Sequence, residues 1–417
     1  MLKYLITGTE CLIAGAILLG MLFAYIYRVY GQKGRRILAV SSFLAFLAAA
    51  VMSYMKNKTK LIDTGWWNLH IFGTAIAVFL LFLLFDLRAV RRKLGKADEY
   101  IVPLLAAVMG FCQIFYALPD VLGYPYNFVL GGENVLSTGF LYRLIGLILG
   151  IILVIVAGLA VHFVCGKIPL GLLAVLLKLA FLTNAFQWGS KILQTLLSRR
   201  IITGKGLFRV VKFTSNHASL FPFIIMGLAF VAPVVMWVYS MCANEPYKNP
   251  AEHRKIKAGW RSIRRWSATV FVSLLLCAMN MTTIKAYANR PVELSPVEDC
   301  EVVGDNVIVP FEAVEDGHLH RFAWTSDKGV AIRFIIIKKP NSSSYGIGLD
   351  ACDICGETGY FERNGQVVCK LCDVVMNINT IGFKGGCNPK VIDYSIKDGQ
   401  IIVPKSTLLE HESDFKK

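Results

Sequence analysis

The run Phe140-Leu-Tyr-Arg-Leu-Ile-Gly-Leu-Ile-Leu-Gly-Ile-Ile-Leu-Val-Ile-Val-Ala-Gly-Leu-Ala-Val-His-Phe-Val164 decides the fold. It is long and apolar enough to cross a hydrocarbon core of ~30 Å as one helix. Seven further runs share that character: Cys11 to Tyr27, Ile37 to Met55, Leu69 to Leu87, Ile101 to Leu118, Ile168 to Leu197, Leu220 to Met241 and Trp266 to Ala286. The composition agrees. A chain of 417 residues with 55% hydrophobic and 17% charged content is far more apolar than a soluble globular protein. The expectation is an α-helical polytopic membrane protein of about eight spans over residues 1–288. The first run has Lys3 ahead of it and Arg28, Lys33, Arg35 and Arg36 after it, with no small-residue cleavage site, so it reads as a retained span.

Orientation follows from the basic residues, which accumulate in cytoplasmic loops. With the N-terminus outside, the inner loops carry Arg28 to Arg36, Arg88 to Lys96, Lys167, and Lys248 to Arg265. The outer loops carry Lys3, then Lys56, Lys58 and Lys60, and then Arg199, Arg200, Lys205, Arg209 and Lys212. This last group is the misfit. Leu207, Phe208, Val210, Val211 and Phe213 are mixed into it, the pattern of an amphipathic segment lying in the interface. The formal charge of +16 is thus mainly a topology signal, with lipid as the surrounding partner. It is scattered over membrane loops, which excludes a nucleic-acid surface.

After the linker Asn289-Arg290-Pro291-Val292-Glu293-Leu294-Ser295-Pro296, residues 289–417 read as a β-rich domain outside the cytoplasm. Val302 to Phe311, Leu319 to Trp324, Val330 to Lys338 and Tyr345 to Leu349 are β-branched or aromatic runs, and Asn364-Gly365 and Asp398-Gly399 are hairpin turns. The residues after Pro404 read as a polar, frayed end.

Within this domain Cys352-Asp-Ile-Cys355 and Cys369-Lys-Leu-Cys372 form two chelating pairs, and Cys387 follows in Gly385-Gly386-Cys387-Asn388-Pro389. A hairpin at Asn364-Gly365 would bring Cys355 and Cys369 to one end, the geometry a four-sulfur site needs. Three readings fit the spacing. One is structural zinc. A second adds Cys300 to make six cysteines and three disulfides. The third is iron or an iron-sulfur cluster, for which thiolates are natural ligands. A thioredoxin role fits poorly, because Gly356-Glu-Thr-Gly359 after Cys355 is a turn, and no CxxCH haem motif occurs.

The stretch from about Asp316 to Pro389 resembles the C-terminal domain of the FtrD-like membrane iron-sulfur protein family. The resemblance lies in Asp316-Gly317, His320-Arg321-Phe322, Asp350-Ala351-Cys352-Asp353-Ile354-Cys355-Gly356, Gly359-Tyr360, Cys369-Lys370-Leu371-Cys372, Thr380-Ile381-Gly382 and Gly385 to Pro389. It implies a metal site within about 316–390 that handles iron or electrons outside the cytoplasmic membrane. Its implied partners are an Ftr-type iron permease and associated iron-uptake proteins, with the redox partner unspecified. Lys390-Val391 departs from the family, which is expected to carry a further proline after Asn388-Pro389. No Arg-Glu-x-x-Glu permease motif appears in any span. No catalytic residue is assigned; the chain reads as an electron-transfer or metal-binding component. The alternative is a membrane transporter or scaffold whose tail carries structural zinc.

Other candidates lie outside the cysteines. His318 and His320 share a strand face, and His320 is placed with the thiolates as a possible ligand, against the alternative of a solvated edge strand. His70 and His217 at span edges fit either haem ligands or interfacial polar residues. Asn184, Gln187 and Lys191 project on one face of the sixth span, with Lys178 on another and no carboxylate partner evident within the spans. Asp120 and Glu133 in a loop without Lys or Arg are too few carboxylates for a cation site.

Overall fold

The structure is a computed structural model that describes residues 1–416 except 60, 61, 130–137, 244, 291, 292, 341, 364, 373 and 386. Glu133 and Asn364 therefore lie outside the described residues. Contacts divide the chain into two units, Met1–Asn289 and Arg290–Lys417.

The first unit is helical. Its helices are α1 (Leu2–Lys58), α2 (Thr64–Phe85), the short α3 (Arg88–Leu94), α4 (Asp98–Val129), α5 (Thr138–Cys165), α6 (Leu170–Ser198), α7 (Lys205–Asn216), α8 (Leu220–Cys242) and α9 (Pro250–Met279). A π turn over Asn280–Ile284 leads from α9 into α10 (Lys285–Ala288). Among the described residues seven helices are long and apolar enough to cross a membrane. They supply eight apolar lengths, because α1 turns back on itself at Gly31, whose φ of 63° and ψ of −151° suit glycine alone. A Cβ at Gly34 would lie 2.9 Å from Ile26 Cγ2, whereas residues eight apart in a straight helix are ~12 Å apart. Leu19 and Leu38, one from each arm, both reach the Cβ position of Gly110 in α4, at 3.3 and 3.1 Å.

Glycines let the first arm of α1 lie tight against α5. A Cβ at Gly20 would meet Gly158 O at 2.5 Å, and one at Gly150 would meet Leu5 O at 2.7 Å. Where hydrocarbon surrounds both helices, such close backbone approach is the main source of attraction. Ion pairs sit at the helix ends. Asp86, 7% exposed at the end of α2, accepts from Tyr25 Oη at 2.6 Å and pairs with Lys178 Nζ at 2.7 Å. Lys178 thus has the carboxylate partner that the span reading missed. The basic segment after α6 forms the amphipathic helix α7, burying Val211 and Thr214 while Phe208 and Phe213 stay exposed.

Among its described residues the second unit contains three antiparallel sheets. The strands are β1 (Glu301–Val303), β2 (Asn306–Pro310), β3 (His320–Thr325), β4 (Ala331–Lys338), β5 (Tyr345–Leu349), β6 (Tyr360–Arg363), β7 (Gln366–Cys369), β8 (Ser395–Lys397) and β9 (Gln400–Pro404). They assemble as β1-β2-β9-β8, β3-β4-β5 and β6-β7. The expected run Val302 to Phe311 is a hairpin, β1 and β2, turned at Gly304-Asp305. The Asp398-Gly399 turn is present with φ of 49° and 74°, and Arg363 pairs with Gln366 across the turn holding Gly365.

Strand β4 is buried on both faces, and its period of two sorts its side chains into two cores. Ile332, Phe334 and Ile336 join Val307, Val309, Ile401 and Val403 from the four-stranded sheet. Ile335 and Ile337 face the other way, into a second core with Cys352, Cys355 and Cys369. The end of the chain differs from the frayed segment expected. Helix α11 (Lys405–Glu410) buries Leu408, the following turn buries Phe415, and Glu412 accepts from Ser326 Oγ at 2.6 Å. Two apolar anchors and a paired carboxylate fix what its polar composition made look loose.

Candidate metal centre

The first cysteine pair sits in a tight loop closed by Cys352 and Gly356. Cys352 N–H donates to Gly356 O at 3.2 Å and Gly356 N–H returns to Cys352 O at 3.0 Å, with Gly356 at a φ of 63°. This leaves Cys355 N–H free to donate to Cys352 Sγ at 3.1 Å. The second pair ends β7, where Cys369 N–H donates to Val374 O at 3.0 Å. Lys370 N–H donates to Gly359 O at 3.0 Å, tying the second loop to the first.

Cys387 arrives from a separate loop that lies on β5. A Cβ at Gly346 would meet Ile381 at 2.9 Å, and one at Gly348 would meet Pro389 Cβ at 2.8 Å, so both positions require glycine. Leu349 N–H donates to Lys390 O at 2.8 Å and Lys390 N–H donates to Ala351 O at 2.9 Å. The second bond needs an N–H that a proline at 390 would lack. Tyr360, 1% exposed and paired with Cys369 across the hairpin, donates its hydroxyl to Cys387 O at 2.6 Å.

The result is five sulfurs in two overlapping triads. The Sγ atoms of Cys352, Cys355 and Cys387 lie within 4.8 Å of one another, as do those of Cys355, Cys369 and Cys372. Cys372 Sγ and Cys387 Sγ are 3.6 Å apart. Cys300 stands away from them with its sulfur 3.7 Å from Ala323 O, and every cysteine is a free thiol, so the three-disulfide reading fails. Burial pushes the thiols of Cys355 and Cys369 up, and raises Cys387 to about 11 together with its contact to Cys372. Burial acts the same way on Cys372, but the Val374 N–H and the neighbouring thiols overcome it and hold Cys372 below its ordinary value. A metal ion held by these sulfurs would displace their protons. This all-sulfur donor set fits iron, an iron-sulfur cluster or zinc by its chemistry.

A buried ion pair hangs the first loop on the sheet. Asp350, fully buried two residues before Cys352, accepts from Arg321 Nε at 2.9 Å, Arg333 Nε at 3.1 Å and Tyr360 N–H at 2.8 Å. Arg321, 1% exposed, also donates to Ser295 O, Ser295 Oγ and Tyr360 O. The signal for it was in the sequence, as charged residues set in strand-like apolar runs at Arg321 and Asp350. Gly359, at a φ of 82°, leaves room for Asp350, whose Oδ2 would be 2.8 Å from a Cβ there.

His320 does not join the sulfurs. Its Nδ1 lies 2.8 Å from Glu298 and its Nε2 2.8 Å from Asp316, so both ring nitrogens are taken by carboxylates. Burial opposes its protonation, but the bonds to Asp316 and Glu298 prevail and raise its pKa. His318 is exposed and pairs with Glu362 at 3.0 Å. His70 stacks on Trp66, and His217 bonds to Phe213 O at 2.9 Å. Neither belongs to a group of three or more metal-ligating side chains among the described residues.

Residues 314–415 match the family described as Membrane iron-sulfur containing protein FtrD-like. The match spans both cysteine loops, the Cys387 loop, Arg321 and Asp350. No curated protein and no solved structure matches the chain. The apolar helices make this a multi-pass membrane protein, and its C-terminal domain is similar to that of a membrane iron-sulfur family.

Proposed function

We propose that the chain is a membrane-anchored iron-sulfur or iron-binding redox protein that supports iron uptake by electron transfer at the outer face of the cytoplasmic membrane. The observation that carries this reading is the five-sulfur cluster within an FtrD-like domain. One of its sulfurs, Cys372, is exposed, while Cys352 and Cys369 are buried. Ile354, Leu371 and Phe383, on the three loops that converge there, are 68%, 64% and 59% exposed. An apolar rim around a partly exposed redox centre suits brief docking of a partner. The thiolates hold iron, which when bound supplies one-electron chemistry. The protein's own residues set its surroundings: the Asp350–Arg321 pair fixes the first loop, and Tyr360 fixes the backbone at Cys387.

The natural partner in this reading is an Ftr-type iron permease, which would receive iron in the oxidation state it transports. The test is uptake of radioactive iron, offered as ferric or as ferrous ion, by cells carrying the wild-type chain or Cys355→Ser at equal protein levels. Loss of uptake from one oxidation state with the other preserved supports the proposal. Equal uptake from both by the variant contradicts it and favours a scaffold with structural zinc. The charge bias of the loops supports an orientation with residues 290–417 outside. An impermeant thiol reagent should then label a cysteine introduced at Ser342 in intact spheroplasts, and protection there would reverse the orientation.

A further inference from the structure

The helical unit holds a second polar site. Asn184, Gln187 and Lys191 share one face of α6, and with Gln113 and Tyr116 of α4 and Trp188 of α6 they line a cavity of about 230 Å³. Asn184 is 4% and Gln113 5% exposed. Neither amide, nor that of Gln187, has a hydrogen-bond partner among the described residues, and their polar atoms open on the cavity. Lys191 donates to Tyr116 Oη at 2.5 Å, with its ammonium 4.7 Å from the centre of that ring and 5.7 Å from that of Phe72. No described carboxylate pairs with it. The two acids at the mouth are engaged elsewhere, Asp120 with Lys56 and Glu10 with Lys285.

Three amides without partners, beside an ammonium bonded to a hydroxyl but to no carboxylate, are costly inside an apolar bundle unless something else bonds to them. We propose that the cavity binds the carbonyl-bearing headgroup of a quinone. Carbonyl oxygens accept from Lys191 and from the amide NH₂ groups, and the amide oxygens can accept from the hydroxyls of the reduced form. Trp188 and Tyr116 offer faces for a flat ring. Beyond Gln113, Asn184 and Trp188 the neighbouring side chains, Phe79, Met109 and Phe181, are apolar. The acids at the mouth disfavour a polyanion. The choice of a quinone among carbonyl compounds rests on the electron-transfer reading; the unpartnered polar groups do not.

The test is titration of the full chain in detergent with short-tailed benzoquinone and naphthoquinone analogues, read by tryptophan quenching and thermal shift. The wild type should bind one of them saturably, and Lys191→Met should weaken binding at least tenfold. Asn184→Leu should also lose binding, while the ligand-free protein melts no lower than wild type because an unpartnered amide has gone. Absence of saturable quinone binding by the wild type would overturn the proposal. So would unchanged binding in both variants, or Lys191-dependent binding of inorganic phosphate in its place. Quinone binding to a protein with a colourless, zinc-loaded C-terminal domain would support this site and sink the electron-transfer reading. A reducible iron centre without quinone binding would do the reverse.

Discussion

The sulfur of Cys372 lies 3.6 Å from that of Cys387, so the cysteine outside the two pairs belongs to the same cluster as the four within them. Four sulfurs complete a mononuclear site, and a fifth is useful when iron must be held in more than one arrangement or its potential adjusted. Cys387→Ser is expected to leave the domain folded, with lower iron content or a shifted reduction potential. Cys355→Ser should lose metal altogether, because its sulfur belongs to both triads. Elemental analysis and a redox titration of the two purified variants check this, and full metal with unchanged potential in Cys387→Ser would make Cys387 a packing residue.

Arg321→Met should destabilise the second unit by about 3–5 kcal/mol, the usual cost of removing one partner from a buried ion pair. It leaves Asp350 with Arg333 and strips donors from Ser295 O and Tyr360 O. Hydrogen exchange of the β3–β5 amides against urea measures the loss. Metal content should fall as well, because Asp350 anchors the loop of Cys352.

Glu412 gives the second unit an acid sensitivity. Bonds from Ser326 and Lys416, opposed by desolvation and helped by Lys328, lower its pKa from 4.5 to about 2 in the folded chain. A depressed folded pKa means stability that is present above 4.5 and lost as pH falls through about 2. Glu412→Gln should flatten the thermal stability profile over that window, and an unchanged profile would show that the carboxylate does not contribute.

Much of the second unit was legible in the sequence because its strands are short β-branched runs closed by Asn-Gly and Asp-Gly, which permit few other turns. The two cysteine pairs were equally plain. Harder to read was how Cys387 joins them, since that depends on Gly346 and Gly348 clearing β5 for a distant loop. The membrane spans were visible from hydropathy, and Gly31 explains how two of them share one helix. The Lys178–Asp86 pair was missed because hydropathy says nothing about which helices become neighbours. The end of the chain was misread because Leu408 and Phe415 sit among charged residues, and the pairing that buries Glu412 leaves no trace in composition.

Lys178→Met should lower the melting temperature of the full chain in detergent, leaving buried Asp86 with Tyr25 at 2.6 Å and only the more distant Arg91, at 3.9 Å, as a cation. The double variant Lys178→Met with Asp86→Asn should recover most of the loss, since removing both charges removes the desolvation cost. Equal melting of the two variants would mean the pair is not coupled.

The most direct measurement is the visible absorbance of the full chain, purified without oxygen, before and after reduction, with iron and zinc quantified in the same sample. The expected result is a coloured protein that contains iron, bleaches on reduction, and loses both colour and iron in Cys369→Ser. A colourless protein with stoichiometric zinc would contradict it.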